Sequence, residues 1–213
     1  MTAAPPPTDR ESLMRERRSR HPAFGEALVA DAKATALYRG ERHEFRSRLD
    51  LTIQILRLAW QSDAFLAQAL YRAKARMQAL GIPILPRIAH RLAMITGQVA
   101  IGDPVIVHPG IYLLHGQVVI DGLTEVHSGV TIAPFVTLGL RHGEIVGPTI
   151  GPHAQIGSGA KVVGRVTVGA RAQIGANAVV LEDVPEGATV VGVPAKPAGS
   201  VRAIDHSTKN EAP

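Results

Sequence analysis

The second half of the chain repeats every six residues, and this period limits the fold more than any other feature. Aliphatic residues recur at Ile150, Ile156, Val162, Val168, Ile174 and Val180, and glycine directly follows four of them. An α-helix repeats every 3.6 residues and an ordinary strand every two, so a period of six fits neither. It is typical of a parallel β-helix, in which each hexapeptide supplies one short strand and three hexapeptides complete a triangular coil.

The same phase is found further upstream, and near its beginning it is shifted by one residue. The aliphatic residues in phase are Ile120, Val126, Ile132 and Leu138, and the shifted ones are Ile101, Val107 and Leu113. We therefore predict a β-helical domain of about five coils over residues 98–196.

Residues 22–97 have the period of helices instead. Apolar residues recur there at three- and four-residue spacing, and Gly81 and Gly97 follow two of the segments as stop signals. The prediction is an α+β chain in which an α-helical domain precedes the β-helix, with a disordered arm over residues 1–21 and a flexible tail over residues 197–213. Three aromatic residues of the helical segments are expected in the core: Trp60, Phe65 and Tyr71.

Two interruptions of the repeat are candidates for a functional site. The first is the one-residue shift around "LLHGQ", residues 113–117, and the second is the polar loop "GLRHGEIVGP", residues 139–148. Function in a solenoid tends to lie where the repeat is interrupted. Each interruption carries a histidine, His115 in the first and His142 in the second.

Composition excludes several classes of protein. No apolar run approaches the roughly 18 residues that a membrane-spanning helix needs, and without cysteine the chain has no disulfide framework and no thiol nucleophile. Residues 1–95 carry 16 Lys and Arg against 9 Asp and Glu. Aromatic residues that would stack on bases make up only 4% of the chain, so we expect a solvated helical surface and no nucleic-acid partner. We expect a cytoplasmic protein.

Three segments resemble a known family. "HGQVVIDG" at 115–122, "VTLG" at 136–139 and "VPEGATVVGVPAK" at 184–196 are similar to segments of the serine acetyltransferases, which belong to the left-handed β-helix superfamily. The resemblance implies a left-handed parallel β-helix of hexapeptide repeats, with acetyl-CoA as co-substrate and the hydroxyl of L-serine or a close relative as acceptor. It also implies a role in cysteine biosynthesis and a homotrimer or a dimer of trimers.

The resemblance also implies roles for the residues at the substrate site. The family's general base is a histidine at the position of His115. It removes the hydroxyl proton as the oxygen attacks the thioester carbonyl, which is chemistry suited to an imidazole near neutral pH. Arg141 and His142 resemble the pair that holds the substrate carboxylate, and His142 would also help to steady the oxyanion. Asp50 lies near a substrate-contacting acid of the family's helical domain.

Binding of CoA is implied for a second group of residues. Backbone groups at Ser158 and Ala176 match the contacts of the pantetheine arm in the groove between adjacent β-helices, and Gly139 lies near the thioester. Lys161 and Lys196 are candidates to bind the nucleotide phosphates as point charges.

The chain departs from the family at two positions beside the base. Leu114 stands where the family has an aspartate directly before the histidine, and Ala100 stands where a second aspartate orients the imidazole. Loss of an orienting carboxylate typically costs orders of magnitude in rate. Asp103, Asp121 and Glu125 are candidates to replace these groups, and Asp121 is included in the predicted substrate site.

Two other functions stay open. The chain could transfer acetyl to another small amine, alcohol or sugar, or be a catalytically weakened scaffold that binds CoA or a protein partner. No metal site is expected, because the paired-histidine spacing of the γ-type carbonic anhydrases is absent; His108, His127 and His153 are predicted at the surface. The family binds cysteine synthase through a terminal isoleucine, and this chain ends "STKNEAP", so we predict no stable synthase complex.

Overall fold

A computed structural model describes the backbone of residues 7–198 and the side chains of residues 12–198. Five helices come first: α1 (Pro7–Ser19), α2 (Phe24–Tyr38), α3 (Arg48–Gln61), α4 (Asp63–Ala79) and α5 (Leu85–Gly97). Fifteen strands of two or three residues follow. Within this part of the chain, no helix has both the length and the apolar character needed to cross a membrane.

The strands form the three faces of a triangular prism, and all pairings but the last are parallel. Face A consists of β1 (Val99–Ile101), β4 (Val118–Ile120), β7 (Thr137–Gly139), β10 (Lys161–Val163) and β13 (Val179–Val180). Face B consists of β2 (Ile106–Val107), β5 (Glu125–Val126), β8 (Thr149–Ile150) and β11 (Thr167–Val168). Face C consists of β3 (Tyr112–Leu113), β6 (Thr131–Ile132), β9 (Gln155–Ile156), β12 (Gln173–Ile174), β14 (Thr189–Val191) and β15 (Lys196–Pro197). The predicted helical domain followed by a parallel β-helix is confirmed.

The aliphatic positions of the repeat stack in columns inside the prism. On face A, strand pairing aligns the buried side chains of Ile101, Ile120, Leu138, Val162 and Val180 from coil to coil. Each buried aliphatic side chain contributes roughly 1.5–3 kcal/mol to stability. This stacking is the reason why the sequence must return an aliphatic residue every six positions.

Strand pairing confirms both interruptions of the repeat. Leu113 pairs with Ile132, and Ile120 pairs with Leu138, so the first coil has one residue more than the second over this corner. The extra residue therefore lies in the corner that holds His115. Val126 pairs with Ile150, which places six extra residues between β7 and β8, in the loop that holds His142.

Helix α4 covers the open end of the first coil. Because no coil precedes the first one, carbonyl groups on its outer edge have no strand partner, and a buried carbonyl needs one. Side chains of α4, each at most 3% exposed, supply the donors. Lys74 donates a hydrogen bond to the carbonyl group of Ile101 at 2.6 Å, and Tyr71 donates to that of Val105 at 2.9 Å. Arg72 donates to the carbonyl groups of Val107 and, at 2.8 Å, of His108. Gln68 donates to the carbonyl group of Ile111 at 3.3 Å.

We call the four donor side chains of α4 the cap. Two of them are cations, and carboxylates neutralise both. Arg72 donates to Asp31 at 2.8 Å, and Asp31 also accepts from the backbone amide of Gly110. Lys74 lies 3.0 Å from Asp103. A buried ion needs such a partner because leaving water costs several kcal/mol. The expectation that the basic residues of the helical half form a solvated surface is therefore wrong for Arg72 and Lys74, which hold the two domains together.

The predicted disordered arm is also wrong for the part of it that the structure describes. Helix α1 begins at Pro7, and its residue Arg17 donates to the carbonyl groups of Pro104 and Thr124 at 2.8 and 2.7 Å. Arg20 follows and binds Glu125. No apolar periodicity marks this helix, because arginine side chains make its long-range hydrogen bonds. Residues 1–6 and 199–213, with most of the predicted tail, lie outside the described residues.

The helical domain leaves two apolar stripes exposed. Phe65 and Tyr71 are buried as predicted, but Trp60 is 91% exposed, so its assignment to the core is wrong. It continues a stripe of α3 residues three and four apart: Leu49, Ile53, Leu56 and Trp60. A second stripe on α5 has the same spacing: Leu85, Ile88, Leu92 and Ile95. No segment of the described part of the chain covers either stripe, although both have the pattern of a packed helix face.

The hydrogen bonds of the cap predict how replacing Arg72 changes the free energy of unfolding. Replacing Arg72 by alanine removes the guanidinium and leaves the Asp31 carboxylate and two carbonyl groups buried without it. We expect Arg72→Ala to lower the free energy of unfolding by about 3–5 kcal/mol, measured by urea denaturation. Arg76→Ala, on the exposed side of the same helix, is the matched control and should change it by less than about 0.5 kcal/mol. Equal effects of the two variants would contradict the account of the cap.

A second prediction concerns pH and His21. Both ring nitrogens of His21 are buried without a hydrogen-bond partner among the described residues. Burial, followed by the charges of Arg72, Lys74 and Arg17, lowers the pKa of His21 to about 4. Because this pKa is below the ordinary value of 6.5, the unfolded chain binds more protons between these pH values, and stability falls as pH drops through this window.

We therefore expect His21 to account for a loss of about 1–2 kcal/mol in the free energy of unfolding between pH 7.5 and pH 5. His21→Phe should remove this part of the pH dependence, whereas His43→Phe, at an exposed histidine, should retain it. Denaturation curves at the two pH values measure the difference. An unchanged pH dependence in His21→Phe would show that His21 titrates as it does in the unfolded chain.

Candidate functional site

His115 lies on an exposed corner that the helical domain holds in place. The corner joins face C to face A between β3 and β4. Gly116 packs so closely on the last turn of α5 that a Cβ atom there would lie 1.7 Å from the carbonyl oxygen of Gly97. The next residue, Gln117, has a left-handed backbone with φ of 64° and donates its amide to the same oxygen at 3.1 Å. The glycine after the histidine is thus required by this contact.

The side chain of His115 is exposed and has no hydrogen bond or ion pair among residues 12–198. None of the three candidate carboxylates reaches it within this chain. Asp103 is paired with Lys74, Asp121 accepts from the amide of Gly122 at 2.7 Å, and Glu125 binds Arg20. No carboxylate among residues 12–198 therefore orients this imidazole.

Two of the predicted CoA-binding residues lie on the same prism edge as His115. We call this edge, formed by corners 114–117, 133–136, 157–160 and 175–178, the C–A edge. Ser158 is in its third corner and Ala176 in its fourth. With coils about 4.8 Å apart, they lie roughly 10 and 14 Å from His115 along the prism axis. Glycines of the third corner pack directly on the fourth: a Cβ on Gly157 would lie 2.8 Å from the amide nitrogen of Ala176.

The two predicted phosphate-binding lysines both have partners in the chain. Lys161 begins β10 beside the C–A edge, and its ammonium donates to the carbonyl groups of Phe135 and Gly159 at 2.8 and 2.9 Å. One of its three N–H groups stays free for a ligand. Lys196 is exposed in β15 and lies 3.7 Å from the Glu182 carboxylate.

The remaining predicted residues of the β-helix lie on a different edge. The corners that join face A to face B, at 102–105, 121–124, 140–148, 164–166 and 181–183, form what we call the A–B edge. Asp121, Gly139, Arg141 and His142 lie on it or directly beside it. One chain therefore does not bring His115 and His142 together, because face A separates their two edges.

Arg141 and His142 differ in their freedom to bind a ligand. Arg141 packs over Gly164 and donates to the carbonyl group of Leu181 at 2.6 Å, so its guanidinium is held against later coils. His142 is exposed in a turn closed by a hydrogen bond from the amide of Glu144 to the carbonyl of Arg141, in which Gly143 has a φ of 82°. Asp50 lies on α3, away from both edges. Two hydrogen bonds from Arg42 and one from the amide of Arg46 hold the pKa of Asp50 well below its usual range.

Sequence reasoning missed a cluster at the edge between faces B and C. His108 and His127 stack with ring centroids 4.7 Å apart, and His108 bonds the Glu125 carboxylate at 2.9 Å. Within the described part of the chain, these three residues are the set of potential metal ligands whose ligand atoms all lie within 4.8 Å of one another.

Burial, and then the neighbouring His108, lowers the pKa of His127. Both Glu125 oxygens already accept from Arg20, so a guanidinium supplies the positive charge there. The signal in the sequence was the pair "VHPG" and "VHSG", one coil apart.

Comparison with known proteins agrees with this architecture. A family model described as bacterial transferase hexapeptide (six repeats) matches residues 147–182. Soybean serine acetyltransferase as the apoenzyme is 29% identical, with a TM-score of 0.67 over 84% of this chain and 71% of that one. The soybean enzyme complexed with serine is 28% identical, with a TM-score of 0.69 over the same shares, 84% and 71%. The chain has the fold of the serine acetyltransferases.

A serine acetyltransferase in complex with CoA is also similar, at 27% identity and a TM-score of 0.67, over 88% of this chain and 74% of that one. No curated protein sequence matches the chain. The resemblance predicted from the sequence is confirmed, and together these matches support an acyltransferase of the hexapeptide-repeat type.

Proposed function

We propose that the protein transfers the acetyl group of acetyl-CoA to the hydroxyl of L-serine or a close relative. The observation that carries this proposal is the C–A edge, where His115, Ser158 and Ala176 follow one another along the prism axis. Similar enzymes have been solved with CoA and with serine. Acetyl-CoA carries its thioester at the end of the long pantetheine arm. If that arm lies along the corners of the C–A edge, the thioester can reach a general base at one end of the edge.

His115 would act as general base and then as general acid. It takes the hydroxyl proton of the acceptor while the oxygen forms a bond to the thioester carbonyl carbon. When the tetrahedral intermediate collapses, the carbon–sulfur bond breaks and the imidazolium returns the proton to the CoA thiolate. His142 and the backbone near Gly139 are the candidates to stabilise the oxyanion.

The outer surface of face A supports an active site shared between two copies of the chain. Its outward residues are mostly apolar: Ala100, Val119, Thr137, Lys161, Val163 and Val179. Outward residues in the middle coils of face C are polar by comparison: Thr131, Gln155 and Gln173. Tyr112 and Val191 are the outward residues nearer its two ends. If face A points toward the axis of a homotrimer, the C–A edge of each copy lies beside the A–B edge of the next. His115 of one copy would then meet His142 of its neighbour.

The same arrangement suggests how the two missing aspartates are replaced. Of the three candidate carboxylates, Asp103 and Asp121 lie on the A–B edge, which the trimer would place beside His115 of the next copy. Asp103 is already paired with Lys74, whereas Asp121 is exposed and uses one oxygen for a local amide. We therefore assign Asp121 of the adjacent copy as the group that orients His115. The exposed stripes of α3 and α5 support further association through the helical domains, as in a dimer of trimers.

One observation favours the alternative in which the acceptor is not serine. Of the groups expected to recognise serine in addition to His142, the Asp50 carboxylate is held by Arg42, whereas Arg141 uses one of its five N–H donors for the Leu181 carbonyl. A site that recognises a free amino acid needs an unoccupied carboxylate for its amine as well as a cation for its carboxylate. A small alcohol or sugar acceptor would not need that carboxylate. The tail predicted not to bind cysteine synthase lies outside the described residues, so that prediction stands as made.

The proposal predicts the effect of removing the base. His115→Asn should lower kcat by roughly 10²–10⁴, the usual contribution of a general base, while the affinity for acetyl-CoA stays within a factor of two to three. His153→Asn is the matched control, because it changes an exposed histidine on another edge; asparagine tolerates the left-handed backbone found there. Thiol release from acetyl-CoA measures both variants. Full activity of a folded His115→Asn protein would end its assignment as base.

A panel of acceptors separates the three functions. Thiol release with L-serine should exceed release with other amino acids, amines and sugars by at least about tenfold in kcat/KM. Preference for an acceptor unlike serine would replace the serine assignment and keep the acyltransferase. Binding of CoA without turnover of any acceptor would instead identify a scaffold.

A further inference from the structure

One cleft of the described structure lies apart from the C–A edge of its own chain. It has a volume of about 640 Å³ and is enclosed by α1, by the connection between α4 and α5, and by the first corner of the A–B edge. Arg91 is the last residue of α5 that lines the cleft, and it lies six residues, or roughly 9 Å along the helix, before Gly97, which contacts the corner of His115. None of the residues assigned to acetyl transfer lines this cleft, although its A–B corner would lie beside the C–A edge of the next copy in the proposed trimer.

Three arginine side chains line the cleft without any partner in the described part of the chain. Arg18 comes from α1, and Arg87 and Arg91 come from α5. All three are exposed, and none of their guanidinium groups forms a hydrogen bond or ion pair with residues 12–198. Most other structural arginines of the helical domain, such as Arg42 and Arg72, bind carboxylates or carbonyl groups. The sequence had shown only a general excess of positive charge in this half.

The carboxylate in the wall of the cleft does not balance this charge. Asp103 lies 3.0 Å from the ammonium of Lys74, which neutralises it. Arg87 and Arg91 are four residues apart on one helix, a spacing at which like charges destabilise each other. An anion bound between the arginines would relieve that repulsion, and a guanidinium binds phosphate oxygens through two parallel hydrogen bonds.

The rest of the wall is suited to a small organic ligand. Ile82, Pro83 and Pro86 form an apolar, conformationally rigid side, and Gln78 and His90 add neutral polar groups. Burial, and then the charge of Lys74, lowers the pKa of His90, so its imidazole is neutral near pH 7. A cleft of several hundred cubic ångströms with an apolar wall and a few convergent polar groups is the usual form of a small-molecule site.

We propose that this cleft binds a small phosphate-bearing anion through Arg18, Arg87 and Arg91. The proposal does not depend on the acetyl-transfer reaction. Binding of inorganic pyrophosphate to the full-length protein, followed by isothermal titration calorimetry at constant ionic strength, tests it. We expect one saturable site per chain. Arg87→Ala and Arg91→Ala should each weaken binding at least about tenfold, the effect of losing a charged hydrogen-bond donor.

Two control variants separate this site from other sources of binding. Arg48→Ala removes an exposed arginine of α3 outside the cleft and should leave the affinity unchanged. Lys161→Ala tests whether pyrophosphate occupies the predicted CoA phosphate site instead, and it too should leave the affinity unchanged. A bound anion should also raise the pKa of His90, seen by NMR with His90→Gln for assignment. Absence of saturable binding, equal loss in Arg48→Ala, or loss only in Lys161→Ala would overturn the proposal.

Discussion

The first coil of the β-helix has an open edge, and the hydrogen bonds that α4 donates to it are the interaction on which the rest of the molecule depends. Gln68, Tyr71, Arg72 and Lys74 supply these donors, and carboxylates balance their two charges. A solenoid needs such an end cap because its terminal coil has no neighbour. The cap also fixes α5, whose last residue holds the corner that carries His115. The geometry of the candidate base is thus set by the helical domain.

The β-helix was predictable from the sequence because every coil repeats the same buried positions. The one-residue shift at His115 and the six-residue insertion at His142 were visible for the same reason. The cap was not predictable, because Arg72 and Lys74 have the spacing of a solvated helix face and their acceptors are backbone groups that no residue type specifies. Helix α1 was missed on similar grounds, and Trp60 was misplaced because the apolar face of α3 has no partner among residues 12–198.

The same limit applies to the candidate site: the sequence identified residues of the site but not the groups that surround them. The sequence selected His115, Ser158 and Ala176, and the fold aligns them on one edge. It could not show that Arg141 and Asp50 are already bound within the chain, nor that His115 and His142 lie on separate edges. Those facts depend on which side chains the coils bring into contact. They support the proposal that a second copy of the chain completes the active site.

Complementation between two inactive variants tests this central claim most directly. His115→Asn and His142→Asn proteins would be refolded together, and thiol release from acetyl-CoA would be compared with that of each variant alone. With a shared site, the mixture should recover about a quarter of the wild-type activity, because one interface in four then pairs an intact His115 with an intact His142 of the neighbour. Activity no greater than that of the separate variants, in mixed trimers shown to have formed, would contradict the account.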